Sequence, residues 1–440
     1  MAETFSRLVR GKGTHLTALS EHSGTTKGFF ETSTLVSMVT DSAAAASAWG
    51  SGCKVVNGAI NVFPDGTALT PVMETLKQKG IATALVTTAR VTHATPAGFA
   101  AAGMHRAKED EIALQYLNRV DIILGGGAKH FEPEHREDGR DLVAEFRQRG
   151  YEAISTRDQL LGEGRGSRVL GLFGPDHLPF TIDENARPEP TVPTLAEMTR
   201  VALQRLSRSA GFFLMVEGAR VDHAAHANDL GGLLWDQLAF DDALGEALEF
   251  QKKNRGTLVV VTTDHGNANP GVNGVGPGYT GSSQAFSTCV EQKQSFWALG
   301  NRLLVHLQEK TQLDADLARA EISQALGWEV SAGEVGELKA ALDPDPVTGK
   351  RPVANRFYPL LGRIQGTRTA VGWSGIVHTS DWAMVVARGP GQGRFGHLQP
   401  HTAFYDQMAW FYGFSQKNQP FTGPLPEPSA DGIRPASADG

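Results

Sequence analysis

Short apolar runs recur along the chain at residues 81–88, 120–124, 169–173, 212–216, 258–263 and 383–387. Runs of this length, rich in Val, Ile and Leu, read as strands buried on both faces, which is the habit of parallel sheets. Helical patterns stand between many of them. Pro193 precedes a capping box of Thr194 and Glu197, followed by Leu195, Met198, Ala202 and Leu206 on one helical face. A second helix is predicted over about 230–252, with Leu234, Leu238, Asp241 and Leu248 at helical spacings. Strand, helix, strand repetition predicts an α/β chain with a doubly wound, mainly parallel central sheet and helices on both faces. Between about 270 and 370 the pattern weakens, and that stretch is read as an insertion in a catalytic domain spanning 1–418. Residues 419–440, rich in Pro, Gly, Ser and Ala, are read as a disordered tail.

Ligands of such sheets sit beyond the carboxyl ends of the strands, so the residues after each run carry the search. An anionic partner such as nucleic acid or a membrane surface is disfavoured by a net charge of −7 and a pI near 6.1. No apolar run is long enough to span a membrane, and the first residues (MAETFSRLVRGKGTHL) lack the apolar core of an export signal. Cys53 and Cys289 fall in no zinc spacing and read as buried free thiols.

Five segments carry chemistry. In VTDSAAAASAWGSG, Asp41 and Ser42 precede an alanine-rich helix, where the macrodipole and free N–H groups favour an alkoxide and a bound oxyanion. Taken alone, either residue is equally a helix cap. The run 81–88 leads to His93 and Thr95. The run 212–216 leads to Glu217 and then to Asp222, His223 and His226. On a helix, Asp222 and His226 share a face about 6 Å apart, within reach of one metal, or form an ordinary solvated face. Asp264 and His265 follow the run 258–263, where a charged pair needs a compensating ion. His378 stands alone in GIVHTSDW.

In this order, TDSAAA, HATPA, VEG with DHxxH, TTDHG and HTS resemble the alkaline phosphatase family over residues 35–412. The resemblance implies a phosphate monoesterase that works through a phosphoserine, with two zinc ions and one magnesium. It implies Ser42 as nucleophile and Arg106 as the phosphate-binding arginine. It implies Asp222, His226 and His378 at the first zinc, Asp264 and His265 at the second, and Thr95 and Glu217 at the magnesium. His93 and His223 fall at variable positions near the phosphate or behind the metal ligands. A homodimer and a periplasmic or secreted location are the family's expectation.

Sulfatase and phosphodiesterase relatives share the metal-binding fold, so the site must decide the substrate. Alanines after Ser42 lack the sulfatase context, and Thr95 and Glu217 supply third-metal residues that diesterases lack. The family also carries an upstream aspartate, at the end of an apolar strand, which bridges the second zinc and the magnesium. Ahead of Asp41 the acids are Glu3, Glu21 and Glu31, and none follows a buried-strand pattern. The sequence therefore predicts either a natural start upstream of Met1, with an export signal and that strand, or a metal-binding relative with little turnover.

Overall fold

The computed structural model describes residues 1–162, 164, 166–309, 313–346, 349–415 and 417–426. Its strands are β1 Thr26–Glu31, β2 Ala82–Arg90, β3 Ile122–Gly126, β4 Glu152–Ile154, β5 Val169–Leu172, β6 Phe212–Glu217 and β7 Val259–Val261. The shorter or later ones are β8 Gly266–Asn267, β9 Gly271–Val272, β10 Val371–Gly372, β11 His378–Thr379, β12 Ala383–Arg388 and β13 Leu398–Pro400.

Four of the six apolar runs join β4 in one parallel sheet of order β4-β5-β3-β2-β6. Alternation along each strand sends side chains to opposite faces. Leu85 and Ile123 pack with Leu76, Phe99 and Tyr116 on one face. Ala84, Val86 and Ile122 pack with Met198, Ala202 and Leu206 on the other. The Leu195–Leu206 helix starts at the predicted capping box, and the Leu230–Lys253 helix buries Leu234, Leu238, Asp241 and Leu248. Both faces of the sheet are thus covered, as the fold class requires.

The other two runs correct the reading. Residues 258–263 and 383–387 form β7 and β12, which pair antiparallel to each other in a second sheet of order β13-β1-β12-β7. An apolar run signals burial and carries no information on strand direction. β1 also belongs to this sheet and was not predicted, because TKGFFE buries only Gly28 and Phe30. Its last residue is Glu31, so one acid ahead of Asp41 does close a strand. That carboxylate is engaged elsewhere, accepting from Lys54 Nζ at 2.8 Å and from the Ser33 N–H at 2.7 Å.

β6 and β7 are edge strands of the two sheets. Between them lies a cavity of about 990 Å³, lined by both strands, by Phe240 and Leu244 of the long helix, and by Phe404. Most of β6 and β7 is consequently half-buried rather than buried.

Residues read as an insertion form helices Phe296–Glu309, Ala315–Leu326, Ala332–Ala341 and Tyr358–Thr369 around their own core of Leu299, Leu303, Ile322, Leu338 and Leu361. The β9–β10 ribbon, with Val272 opposite Val371, returns the chain close to where it left. Of the expected tail, 427–440 lie outside the described residues. The portion before them is not free: the Phe421 ring packs 5.1 Å from Phe63. Cys53 and Cys289 are buried free thiols. Among the described residues no helix is long and apolar enough to cross a membrane.

Candidate active site

Ser42 is the first residue of the Ser42–Ser51 helix and is itself buried. Asp41 caps that helix, its Oδ1 accepting from the Ala44 N–H at 2.9 Å. Cap and helix-terminal serine therefore coexist at adjacent positions. Asp41 Oδ2 accepts from the Gly58 N–H at 2.9 Å and faces Arg106 Nη1 at 3.3 Å, which ties the arginine to the same turn. The Ser42–Ser51 helix crosses the Ala94–Ala100 helix at glycines. A Cβ on Gly50 would stand 1.9 Å from the Gly98 carbonyl oxygen, and one on Gly98 would stand 2.4 Å from Ala46 Cβ. Small residues let the helices approach until Ser42 and Thr95 line one cavity.

Asp222 and His226 share a face of the Arg220–His226 helix, as predicted, with His226 Nε2 3.5 Å from Asp222 Oδ2. β11 pairs with β8 and brings His378 beside them, its Nε2 3.8 Å from Asp222 Oδ1. His226 Nδ1 donates to the Ile376 carbonyl at 2.7 Å, and His378 Nδ1 to the Thr40 carbonyl at 2.9 Å. A carbonyl only accepts, so each ring keeps its lone pair on Nε2. These two nitrogens face one another at 3.0 Å. Two lone pairs and a carboxylate converging so closely fit a bound cation. Burial and the neighbouring His265 and His226 push His378 down to about 4. Burial opposes ionisation of Asp222, but His226, His265 and His378 outweigh it and hold the carboxyl well below its usual range.

His265 Nε2 lies 3.0 Å from Ser42 Oγ and 3.2 Å from Asp264 Oδ2, and its Nδ1 is buried without a partner. Burial lowers this imidazole's basicity, yet Asp264 and Asp222 raise it to about 9. Glu217 ends β6 and accepts from Thr87 Oγ1 at 2.6 Å, a pairing fixed by the Thr87–Glu217 register of β2 and β6. Burial, with Asp264 and Asp222 nearby, raises Glu217 to about 7 against the Thr87 and Thr95 hydroxyl bonds that lower it. Three half-buried carboxylates, Glu217, Asp222 and Asp264, thus call for positive charge around Ser42, and imidazole nitrogens stand beside them.

Every predicted site residue falls in this region: Ser42, His93, Thr95, Glu217, Asp222, His223, Asp264 and His265 line one cavity, and His226, His378 and Arg106 contact them. Arg106 also donates from Nη2 to His93 Nε2 at 3.0 Å. The sequence reading missed His177, whose ring lies 5.3 Å from His93 and 4.5 Å from His223. It missed Arg220, buried over the Phe180 ring at 3.7 Å. The signal for His177 was available, since it follows the run 169–173 by four residues.

Comparison with known proteins identifies the family. The alkaline phosphatase family model matches residues 11–414. Two Bacillus subtilis proteins, alkaline phosphatase 4 and alkaline phosphatase 3, are 32% and 35% identical over 83% and 81% of this chain and 74% and 73% of their own. The crystal structure of Thermus thermophilus alkaline phosphatase superimposes with a TM-score of 0.86 at 32% identity, covering 96% of this chain and 89% of that one. This chain belongs to the alkaline phosphatase family of metal-dependent phosphatases.

Proposed function

We propose that the chain hydrolyses phosphate monoesters through a phosphoserine at Ser42. Ser42 Oγ attacks phosphorus; the P–Oγ bond forms as the ester P–O bond breaks and the alcohol leaves. Water then attacks the phosphoserine, the P–Oγ bond breaks, and inorganic phosphate and Ser42 are regenerated. Arg106 holds two phosphoryl oxygens through its planar fork, and the N–H groups at the start of the Ser42–Ser51 helix face the same charge. Asp222, His226 and His378 would hold one zinc, Asp264 and His265 a second, and Thr95 and Glu217 a magnesium. Bound there, the metals supply Lewis acidity that favours the serine alkoxide and lowers the pKa of water. The observation that carries this reading is the 3.0 Å approach of the two lone-pair nitrogens of His226 and His378, beside a serine 3.0 Å from His265. p-Nitrophenyl phosphate should be turned over faster than bis(p-nitrophenyl) phosphate or p-nitrophenyl sulfate, and Ser42→Ala should abolish acid-stable phosphoenzyme. A preference for the diester or sulfate, or labelling that survives in Ser42→Ala, would defeat it.

A second reading, a metal-binding relative with little turnover, is favoured by Glu31, which closes a strand ahead of Asp41 but is tied to Lys54 and the Ser33 N–H. The two readings separate on turnover by the 440-residue chain. A periplasmic or secreted location is carried by the family resemblance.

A further inference from the structure

We propose that Arg220 is a positioning residue of the phosphate site, which fixes the ring and tautomer of His223 so that its Nε2–H serves a phosphoryl oxygen. This role rests on the phosphatase reading and adds to it a residue that no motif singles out.

Arg220 opens the Arg220–His226 helix, three residues before His223. Its buried guanidinium carbon lies 3.7 Å from the centre of the Phe180 ring and 5.9 Å from that of Trp297, on the Phe296–Glu309 helix. Among the described residues no carboxylate is in salt-bridge contact with it, and its Nε is buried without a partner. Nη1 donates to His223 Nδ1 at 2.9 Å. Asp236 and Asp183 are near enough to attract the cation, yet each is tied elsewhere. Asp236 accepts from the Thr181 N–H at 3.1 Å and from its hydroxyl at 2.9 Å. Asp183 accepts from the Ser295 N–H at 2.8 Å and from its hydroxyl at 2.6 Å.

Burying a guanidinium without a contacting counter-ion costs free energy that packing does not require. A methionine of similar length would fill the space over Phe180 without that cost. What a methionine cannot make is the bond to His223. A guanidinium carries only donors, so Nδ1 is the lone pair and the proton of the neutral ring sits on Nε2. The same bond keeps the ring from turning. His223 lines the cavity that reaches Ser42 and Arg220 does not, so the arginine acts through the ring and leaves the ligand untouched. An N–H held in one place binds an oxyanion better than one that exchanges between two nitrogens, because its ordering is complete before the ligand arrives.

The test titrates inorganic phosphate calorimetrically into the zinc- and magnesium-loaded full chain. In Arg220→Met phosphate should bind about tenfold more weakly, the worth of one charge-assisted contact. Bound zinc should be unchanged, and the melting temperature should hold or rise. Arg220→Lys, which keeps a cationic donor, should recover part of the affinity. In nitrogen NMR of chain with isotopically labelled histidine, His223 is identified by the signals missing from His223→Gln. It should show a protonated Nε2 and a bare Nδ1 in the wild-type chain, and the two signals should draw together in Arg220→Met. Unchanged phosphate affinity in Arg220→Met, or a proton on Nδ1 in the wild-type chain, would overturn the role. A lower melting temperature with an unchanged His223 spectrum would do the same, since it marks a merely structural arginine. Turnover of p-nitrophenyl phosphate by the wild-type chain reports on the phosphatase reading alone: if turnover is absent while these shifts appear, that reading falls and the positioning of His223 stands.

Discussion

Adding one methyl group at Gly50 should damage both stability and catalysis, for a reason visible in the helix crossing. A Cβ there would lie 1.9 Å from the Gly98 carbonyl oxygen, whereas ordinary contact begins near 3.4 Å, so the helices must part by about 1.5 Å. In an open helix Gly→Ala would stabilise by about 1 kcal/mol through propensity. Overpacking costs about 1–3 kcal/mol, and backbone set against backbone leaves no side chain to rotate away, which places this site at the upper end. The net expectation is a loss of roughly 2 kcal/mol, a fall of a few degrees in melting temperature for a chain of this size. The same displacement moves Ser42 relative to Thr95. A misplacement of about 1 Å can cost on the order of 100-fold in rate, so kcat/KM for p-nitrophenyl phosphate should drop at least tenfold. Gly336→Ala, in a helix where the added Cβ meets nothing within 4 Å, is the control and should be neutral or slightly stabilising. If Gly50→Ala behaves like Gly336→Ala in both melting and kinetics, the close crossing does not position the serine.

Other expectations follow from the site. His226→Ala and His378→Ala should each lower bound zinc, measured by elemental analysis, together with melting temperature, because metal binding free energy adds to folding free energy; a metal-free but fully folded wild-type protein would contradict the assignment. In chelator-treated protein, Glu217 has a folded pKa near 7 against an ordinary 4.5. Its contribution is full below about pH 4.5 and is lost as pH rises through 7. Melting temperature should fall across that window and fall less in Glu217→Gln; Asp236 and Asp229, raised by burial to about 7 and about 6, keep some slope. An identical slope in the two proteins would refute the role given to Glu217.

What the sequence determined by itself was local. The capping box at Thr194 and Glu197, the span of the long helix, the four parallel runs and the placement of Asp222 one turn before His226 all follow from interactions within a few residues. The order of motifs also pointed to candidate residues that the fold brings into one region around Ser42. Tertiary structure decided the rest. Residues 258–263 and 383–387 look like the parallel runs, yet pair antiparallel, since direction depends on how the chain returns and not on composition. β1 is a strand only because β12 and β13 supply partners on both sides. The lone pair of His378 points toward Asp222 and His226 because its other nitrogen meets the carbonyl of Thr40, 338 residues away in sequence. His177 and Arg220 joined the site in the same manner. Hydrogen-bond partners so far apart are chosen by packing, and no local propensity encodes them.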